Sequence, residues 1–256
     1  MKILITGSSG FIGQHLCNDL SEHHEIVPYD LKDGKDVRDL QLKDVYDVQL
    51  VIHLAALCDV RDSVNRPKEF WDVNVKGSKR VFDIVHDHNS KEINMNCNVI
   101  YASSSCAKEF WLSPYGYTKK VMESHAKPGM VGCRFTTVYG EGARSDMLVS
   151  RLINKDIKYV TDQKRDYIHV DDVVKFIRLL SIVQYQSHYT KRKYDVGTGK
   201  SLNNTKLVTA AKMEVPVVEG DSCEMQDNEA DITHALKLGW MPMEEVLDYI
   251  RENTRS

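Results

Sequence analysis

The sequence contains no apolar run that approaches about 18 residues, the minimum for a membrane-spanning helix. The apolar run before Gly7 has three residues, which is too short for the core of a signal peptide. No two of the six cysteines have CxxC spacing, and a chain of 256 residues does not need a disulfide framework in place of a core. We therefore expect a cytoplasmic protein with free thiols and no membrane partner.

Blocks of basic residues are also missing. The 34 lysines and arginines are dispersed among 37 acidic residues, and the formal net charge is −3. A nucleic-acid-binding face needs clustered positive charge, so this class of partner is not expected. An anionic ligand would have to be bound by a local arrangement of donors. Repeats, low-complexity tracts and flexible linkers are absent as well, and we assign no metal ion.

Strand-like and helical patterns alternate through the first two thirds of the chain. The β-branched, apolar runs are KILIT, EIVPYD, QLVIHLA, NVIYASS and MVGCRF, and helical patterns cover residues 11–21, 67–88 and 115–126. Parallel strands need long crossover connections that cover both faces of a sheet. The alternation therefore predicts an α/β fold with a doubly wound parallel sheet.

The order becomes less regular after Gly142. Helical patterns occur at 146–154, 171–180, 231–238 and 243–253, and KYDVG is strand-like. We expect a core made of residues 1–140 with 165–198, and a small C-terminal lobe made of 141–164 with 199–256. Such a lobe would close a cleft at the carboxyl ends of the strands, where open α/β sheets bind ligands.

Three glycines at a spacing of three occur in TGSSGFIG, between the first strand-like run and the first helical pattern. In that context Gly7 can turn with a positive φ, Gly10 lets a pyrophosphate approach the backbone, and Gly13 allows close packing of the helix on the strand. The first-turn N–H groups of the helix would then face the anion. The pattern predicts a dinucleotide-binding turn, although glycine-rich turns also serve packing alone.

Asp30 ends the second strand-like run, seventeen residues after Gly13. A carboxylate at this place can accept both ribose hydroxyls of adenosine and would repel a 2′-phosphate, which favours NAD over NADP. Asp36 and Val37 follow in a polar turn and could contact the adenine. An exposed turn aspartate is the alternative interpretation of Asp30 alone.

Tyr115 and Lys119 are four residues apart, hence one turn apart on one face of a predicted helix. The lysine ammonium would stabilise the phenolate and lower the pKa of Tyr115, as would an oxidised nicotinamide ring, giving a general base near neutral pH. The upstream strand NVIYASS ends in serine hydroxyls that would point into the same cleft. YxxxK also occurs by chance on helix surfaces, so this prediction depends on the neighbouring strand that ends in serines.

These motifs occur in the order of a known family. TGSSGFIG, Asp30, DVRD, HLAAL, NVKGS, YASSS, YxxxK, RFTTVYG, RDYIHVDDV and YDVGTG resemble those of the extended short-chain dehydrogenase/reductases, the group of NAD-dependent nucleotide-sugar epimerases, dehydratases and reductases. The resemblance spans nearly the whole chain. It implies a Rossmann-type core with a small C-terminal substrate-binding lobe, NAD as the cofactor and a nucleotide sugar as the substrate.

The resemblance also implies roles for individual residues. The cofactor would contact the glycine turn and the strand ends around it: Gly7, Gly10, Phe11, Ile12, Gly13, Asp30, Asp36, Val37, Leu54, Ala55, Ala56, Tyr115 and Lys119. Tyr115 and Lys119 would be the catalytic base and its partner on the cofactor ribose. The catalytic hydroxyl would be Ser104, with Ser105 as the alternative. The substrate would contact Ser104, Ser105, Cys106, Tyr115 and Arg165, with Arg165 on its diphosphate.

The reaction implied by these residues is C4 epimerisation of a UDP-hexose through a transient 4-keto intermediate, as in UDP-glucose 4-epimerases. Dehydratases and decarboxylases of the family carry acidic residues just after the catalytic hydroxyl, where this chain has Ser105 and Cys106. Neither residue can supply the proton transfers of elimination or decarboxylation. This departure argues against both activities.

Two alternatives stay open. Cys106 resembles the cysteine of GDP-fucose synthase, which would indicate an NAD(P)H-dependent reductase of a nucleotide-linked 4-keto-6-deoxy sugar. Short substrate segments would instead suit a non-catalytic NAD(P)-binding regulator, although the Tyr115–Lys119 pair favours an enzyme. Helices at 67–88 and 115–126 form the dimer interface in many relatives, so a homodimer is expected.

Overall fold

The computed structural model describes residues 1–91, 96–183 and 192–254. In these ranges the strands, in chain order, are β1 (Lys2–Thr6), β2 (Glu25–Tyr29), β3 (Leu50–His53), β4 (Asn98–Ser104), β5 (Met130–Phe135), β6 (Thr137–Tyr139), β7 (Val160–Thr161), β8 (Lys164–His169), β9 (Lys193–Val196), β10 (Ser201–Asn203) and β11 (Val217–Val218). All five strand-like runs of the first two thirds of the sequence form strands, and KYDVG forms β9.

The helices of the same ranges are α1 (Phe11–Ser21), α2 (Val60–Asn65), α3 (Pro67–Phe70), α4 (Ser78–Lys91), α5 (Pro114–His125), α6 (Leu148–Ile153), α7 (Val170–Val183), α8 (Asn204–Ala210), α9 (Thr233–Leu236) and α10 (Val246–Asn253). A wide π-type turn at Trp71–Gly77 joins α3 to α4. The sequence patterns missed α2 and α8, which are too short for a helical period to stand out.

Six parallel strands form the central sheet in the order β2-β1-β3-β4-β5-β9. The chain leaves β1 towards β2 on one side and returns to β3 on the other. The carboxyl ends of β1 and β3 therefore lie at a switch point, the place where an open α/β sheet binds ligands. This sheet confirms the predicted α/β fold with a doubly wound parallel sheet.

Helices cover both faces of the sheet because each helix buries one apolar face against it. On one face, Leu16 and Leu20 of α1 pack with Phe176 and Ile177 of α7. On the other face, α4 contributes Phe82 and its buried neighbours to a second core cluster. The edge of the sheet that carries the ligand-binding end is thus supported by apolar clusters on both faces.

The connection from β2 to β3 is compact, because three single-turn helices occupy it at 31–33, 37–39 and 42–44. The side chains of Asp30 and Asp36 cap the first two of them. At the sheet edge, Pro28 of β2 has no N–H to donate, and its carbonyl accepts a hydrogen bond of 3.1 Å from the Lys35 ammonium.

Two small sheets lie outside the central one. One has the order β10-β8-β6, and the other pairs β11 with β7. They pack with α6, α8 and α10 around a third cluster that includes Leu152, Leu207 and Ile250. Strands β6 and β8 come from the predicted core and β10 from the predicted lobe, so this sheet crosses the predicted boundary. The division into 1–140 with 165–198 and 141–164 with 199–256 stays a prediction.

Across the ranges that the structure describes, none of the helices combines the length and the apolar character needed to cross a bilayer. The cytoplasmic location stays a prediction.

Candidate active site

Two adjoining cavities open at the carboxyl ends of the central strands. The larger has a volume of about 670 Å³ and is lined by every residue predicted to bind the cofactor, from the glycine turn to Tyr115 and Lys119. The smaller has a volume of about 360 Å³ and is lined by every residue predicted to bind the substrate, including Arg165. The residues common to both cavities are Cys58, Ser104, Tyr115, Thr136, Thr137 and Arg144.

The glycine turn of the larger cavity leaves no room for side chains at two of its positions. A Cβ on Gly7, whose φ is +72°, would lie 2.7 Å from the backbone nitrogen of Ala55. A Cβ on Gly13 would lie 2.1 Å from the carbonyl oxygen of Gly7. Gly10 is less confined, with its nearest contact at 3.1 Å. The turn thus holds β1, β3 and α1 in close backbone contact.

The N-terminus of α1 points into this cavity. Within the described part of the chain no side chain caps it, and its first turn holds no acidic residue. The Ser8 hydroxyl is buried in the same turn without a hydrogen-bond partner among the described residues. Unpaired first-turn N–H groups and the helix dipole suit an anion. The turn therefore fits the pyrophosphate of a dinucleotide.

Asp30 lies at the mouth of the larger cavity, directly after β2. One of its carboxylate oxygens accepts a hydrogen bond of 2.9 Å from the Ser9 backbone N–H, and the other accepts one of 2.9 Å from Lys32. The carboxylate is thus fixed beside the glycine turn. Asp36 lies further along and pairs with Arg38, which lowers the pKa of Asp36.

Val37 and the segment 54–56 form apolar walls of the same cavity. Val37 is buried and packs against Gly77, where an added Cβ would lie 3.0 Å from its side chain. Ala55 follows β3 and donates its N–H to the Thr6 hydroxyl at 3.3 Å. Small residues at 55 and 56 let the backbone of this wall approach the glycine turn.

Tyr115, Ser104 and Lys119 meet where the two cavities join. Ser104 ends β4, and Ser113 caps α5 by accepting the Gly116 N–H at 3.1 Å, which sets Tyr115 in the first helical turn. The Ser104 hydroxyl lies close enough to the phenol to lower its pKa. The Lys119 ammonium lies 5.9 Å from the centre of the Tyr115 ring and donates to the Ala102 carbonyl at 2.9 Å.

In the protein alone, the net pKa of Tyr115 is not lowered, so its role as a general base near neutral pH stays a prediction. Burial raises the pKa of Tyr115 above its ordinary value, and the opposing contributions come from the Ser104 hydroxyl and from Arg144. The lysine ammonium faces the ring and a backbone carbonyl rather than the phenol oxygen. Lys119 is itself buried, which lowers its pKa to about 8.

A buried ion-pair network supports this corner from behind. The Ser103 hydroxyl donates to Glu123 of α5 at 2.7 Å, and Glu123 accepts two hydrogen bonds from Arg134 of β5 at 2.7 and 2.6 Å. Lys193 of β9 reaches the same carboxylate at 3.2 Å. Paired in this way, Glu123 keeps a lowered pKa despite its burial. The network joins α5 to three strands and so fixes Tyr115 relative to Ser104.

Ser105 and Cys106 line the smaller cavity, but their hydrogen bonds differ from those of Ser104. The Ser105 hydroxyl accepts a hydrogen bond of 3.4 Å from the Asn228 side chain, which also donates to Thr137 at 3.2 Å. Cys106 donates its backbone N–H to the Ser104 hydroxyl at 3.2 Å, and burial raises the pKa of its thiol. Of the two candidate hydroxyls, that of Ser104 lines both cavities and lowers the pKa of Tyr115, whereas Ser105 lines only the smaller cavity.

Arg165 lies on the far side of the smaller cavity, in β8. One guanidinium nitrogen donates to the carbonyls of Lys164 and Met225, both at 2.8 Å. The other donates to Glu224 at 2.8 Å. The second oxygen of Glu224 pairs with Arg61 of α2, also at 2.8 Å. Arg165 therefore has a guanidinium fixed in place rather than free in the cavity.

The sequence patterns missed several residues of the smaller cavity, notably Arg61, Arg144, Gln163 and Asn228. Arg144 stands at the junction and contacts Asp59 at 3.4 Å and Asp146 at 3.2 Å. The buried Gln163 side chain has an amide nitrogen without a hydrogen-bond partner in the described ranges. These residues come from separate loops and carry no spacing signal. For Arg61 and Arg144, the available signal was the presence of arginines in segments near a predicted anion site.

Metal ligands are not gathered anywhere in the described residues, since no group of three or more His, Cys, Asp or Glu side chains could hold an ion.

Comparison with known proteins gives a family match and close structural neighbours. The model of the NAD dependent epimerase/dehydratase family matches residues 3–197. A UDP-glucose 4-epimerase of Pisum sativum is 25% identical over 281 residues, covering 82% of this chain and 80% of its own length. A UDP-glucuronate 4-epimerase of Thermodesulfobacterium geofontis is 32% identical over 153 residues, 52% of this chain and 47% of its own length.

Among solved structures, MoeE5 in complex with UDP-glucuronic acid and NAD superposes with a TM-score of 0.84 at 25% identity, covering 100% of this chain and 99% of that one. UDP-glucose 4-epimerase of Thermotoga maritima, with UDP-glucose, has a TM-score of 0.83 at 20% identity and covers 99% and 97% of the two chains. The second likeness is one of fold.

Proposed function

The chain belongs to the NAD dependent epimerase/dehydratase family, and from this premise we propose that it interconverts the C4 epimers of a UDP-hexose. Family membership and the NAD-bound neighbours confirm the predicted fold type and cofactor. The observation that carries the proposal is the placement of Tyr115 and Ser104 together at the junction of the two cavities, both of which they line. A group that moves a proton at C4 must reach both the cofactor and the sugar.

The glycine turn, Asp30 and the walls at 37 and 54–56 would hold NAD in the larger cavity. When bound, NAD supplies the hydride acceptor and donor and, in its oxidised form, a positive charge that favours a phenolate. The Asp30 carboxylate, which the Ser9 and Lys32 N–H groups fix in place, suits the ribose hydroxyls of adenosine. Its negative charge disfavours a 2′-phosphate.

Tyr115 would take the proton of the C4 hydroxyl and return it after the sugar has turned over. Ser104 would hold the same oxygen by a hydrogen bond, since its hydroxyl lies beside the phenol and lowers its pKa. With a pKa of about 8, Lys119 carries a proton at neutral pH and adds positive charge beneath the ring. Tyr115 is mostly buried, which keeps bulk water away from the C4 carbonyl of the keto intermediate.

Epimerisation is favoured over elimination because the two residues after Ser104 carry no carboxylate. Cys106 has a raised pKa and is therefore a thiol rather than a thiolate near neutral pH. These features suit a site that moves one proton and one hydride. They also argue against Cys106 as a proton-accepting base in the 4-keto-6-deoxysugar reductase alternative, since a base must be deprotonated.

A second candidate substrate is a UDP-hexuronic acid. Arg144 lines both cavities and stands near the phenol, as its effect on the pKa of Tyr115 shows. A guanidinium at that end of the cavity suits the carboxylate of a uronic acid by paired hydrogen bonds. The MoeE5 neighbour, crystallised with UDP-glucuronic acid, is consistent with this reading.

Turnover without added coenzyme tests the proposal. The purified protein is incubated with UDP-glucose, UDP-galactose and UDP-glucuronic acid, and the products are separated by anion-exchange chromatography. Conversion of any one to its C4 epimer without NADH supports epimerisation and identifies the sugar. Activity only on a nucleotide-linked keto sugar, with stoichiometric loss of reduced nicotinamide, would instead establish the reductase. Cofactor binding without turnover of any substrate would favour the regulator.

We also propose that two copies associate through the helical segments 67–88 and 115–126. Trp71 stacks on Tyr117 with ring centres 6.0 Å apart, and Phe110 lies 6.2 Å from Tyr117. The Tyr117 side chain, 48% exposed, and Trp111, 67% exposed, leave this aromatic face open to solvent. Light scattering coupled to gel filtration should give a mass near twice 29.3 kDa, and Tyr117→Lys should reduce it towards one chain.

A further inference from the structure

A carboxylate is buried one helical turn beyond Lys119. Glu123 follows Lys119 by four residues in α5, so the two side chains are neighbours on one face of the helix. Both residues are buried, with 3% of Lys119 and 7% of Glu123 exposed. Charges attract each other more strongly away from water, so the carboxylate stabilises the positive charge of the ammonium. Glu123 lines neither of the two cavities, so it acts on the site through its neighbours.

Three consecutive residues at the end of β4 contact α5. The Ala102 carbonyl accepts a hydrogen bond of 2.9 Å from the Lys119 ammonium. The Ser103 hydroxyl donates one of 2.7 Å to Glu123. Ser104, the last residue of the strand, lies beside the phenol of the first helical turn. Glu123 therefore anchors the third turn of α5 on the same strand that carries the proposed catalytic hydroxyl.

The other side of Glu123 faces two cations. Arg134 of β5 donates to both carboxylate oxygens, at 2.7 and 2.6 Å, and Lys193 of β9 lies 3.2 Å from one of them. Tyr101 is the titratable neighbour on β4, and burial followed by the charge of Glu123 raises the pKa of its phenol. Burial alone would raise the pKa of Glu123, but the hydrogen bonds from Arg134 and Ser103 lower it. Glu123 is therefore a carboxylate at neutral pH.

The surroundings of Lys119 offer little other charge to balance its ammonium. In the described structure the other titratable groups that face it come from β3, α5 and the loops after β3 and β4: His53, Tyr115, Cys58 and Cys106. Burial raises the pKa of Tyr115 and Cys106 and lowers that of His53 to about 3, so these three groups are uncharged near neutral pH. Burial also lowers the pKa of Lys119 to about 8, against opposing contributions from Cys58, Glu123 and Cys106. Glu123 is the carboxylate among these three.

We propose that Glu123 is a positioning residue for the Tyr115–Lys119 pair, because it anchors α5 on β4 through Ser103 and supplies the negative charge that holds the Lys119 ammonium beneath the phenol ring. Arg134 and Lys193 keep the carboxylate in place and moderate its charge. The catalytic roles of Tyr115 and Lys119 rest on the proposed function. The charge state of Lys119 does not, and it can be measured without turnover.

Nuclear magnetic resonance of lysine labelled with carbon-13 at Cε follows this charge, because the Cε shift changes when the ammonium loses its proton. NAD-loaded protein is titrated from pH 5.5 to pH 10, and the Lys119 signal is the one missing from Lys119→Met. The variants are Glu123→Gln, which keeps the shape of the side chain, and Lys193→Gln, which removes a half-exposed cation beside it. Lys206→Gln is the matched control, since Lys206 is exposed on α8. Thermal unfolding and NAD affinity show that each fold is kept.

The two test variants should move the Lys119 midpoint in opposite directions. In Glu123→Gln we expect it to fall by at least about half a pH unit, because the balancing charge is gone. In Lys193→Gln it should rise relative to Lys206→Gln, because Glu123 is then less neutralised. Loss of packing alone would move both variants the same way, so shifts in one direction overturn the proposal, as does an unchanged midpoint in folded Glu123→Gln. If Glu123→Gln does not fold, Lys193→Gln decides, and a midpoint equal to that of Lys206→Gln overturns the proposal.

Kinetics separate this inference from the proposed function. If the protein epimerises a nucleotide sugar, kcat of Glu123→Gln should begin to fall at a lower pH than kcat of wild type, while KM stays within twofold. Ser103→Ala keeps the charge of Glu123 but removes its anchor, so it should lower kcat and leave the pH of that fall unchanged. A protein that turns over no nucleotide sugar overturns the proposed function, and the resonance titration still decides the role of Glu123.

Discussion

The two cavities are built by different means. The cofactor side is made of backbone in close contact, where an added Cβ at Gly13 or Gly7 would lie 2.1 or 2.7 Å from another backbone atom. The substrate side is made of charged side chains from separate loops, held by ion pairs such as Glu224 with Arg61 and Arg165. The cofactor side cannot accept a different ligand unless the backbone moves. The substrate side can accept a different ligand through substitution of side chains, with the fold unchanged.

The largest expected effect falls where the two sides meet. Tyr115→Phe removes the proton acceptor but keeps the ring and its packing, so turnover should fall about 100- to 10,000-fold, the range of general acid–base catalysis. NAD affinity should stay near that of wild type. Steady-state kinetics and calorimetry measure the two quantities. Tyr117→Phe, two residues later in α5 and half-exposed, is the control; equal turnover in both variants would remove Tyr115 from its proposed role.

The rigidity of the cofactor side is tested by Gly13→Ala. The added Cβ meets the Gly7 carbonyl and the Ser8 backbone, neither of which can rotate away, so we expect a loss of about 3 kcal/mol in the free energy of unfolding. NAD binding should fall with it. Gly34 has a φ of +72°, unlike Gly13, and an added Cβ there meets nothing within 4 Å, so Gly34→Ala measures backbone strain of about 1 kcal/mol without a clash. Urea unfolding that shows similar losses for both would contradict close packing as the cause.

Lys119 tests whether the junction is arranged for function rather than for stability. Burial lowers its pKa from 10.5 to about 8, so below pH 8 the folded protein holds a charge that burial disfavours. The difference corresponds to about 3 kcal/mol, reduced by about 1 kcal/mol for the hydrogen bond to Ala102. Lys119→Met should therefore raise the free energy of unfolding at pH 7 by about 2 kcal/mol while abolishing turnover.

The gain in stability from Lys119→Met should decrease as the pH rises. Between pH 8 and pH 10.5 the unfolded chain keeps the Lys119 proton and the folded chain releases it, so wild-type stability rises with pH in this window. The advantage of Lys119→Met should shrink by about 1.4 kcal/mol per pH unit above pH 8. Urea unfolding at pH 7, 8.5 and 9.5 measures it, and a constant advantage would mean that the lysine is not buried as a charge.

The smallest effect is expected at the mouth of the cofactor cavity. Asp30→Ala removes a carboxylate that would accept ribose hydroxyls, so NAD binding should weaken by about 1.5 kcal/mol. Asp33→Ala is the control, since Asp33 is exposed and lies outside the cavity lining. Calorimetric titration that finds equal NAD affinity in wild type and Asp30→Ala would place the ribose elsewhere.

The same contrast explains how much of the site could be predicted. The glycine turn and the Tyr115–Lys119 pair depend on spacings within one turn or one helix, and all their predicted neighbours line one cavity. The net direction of the Tyr115 pKa in the protein alone depends on burial by the whole fold, which the spacing of Tyr115 and Lys119 cannot show. Arg61 and Glu224 are distant in sequence, and only the folded chain brings them together. The roles assigned to individual site residues stay predictions.

The fold was predictable to a similar degree. Each central strand stood out as a β-branched run because both faces of a parallel sheet are buried. Short elements such as α2 and α8 had no such signal, and α10 begins at Val246, three residues later than the pattern indicated. The sheet that joins β6, β8 and β10 depends on pairing between distant segments, which periodicity cannot show.

Pro28 bears on how copies of this protein can meet. An exposed outer strand normally offers a ladder of donors and acceptors to any passing extended segment. Here the imino nitrogen offers no proton, and the Lys35 ammonium already occupies the carbonyl. Pairing of a further strand along β2 is therefore discouraged near its carboxyl end, which directs self-association away from this edge of the sheet and disfavours cross-β polymerisation there.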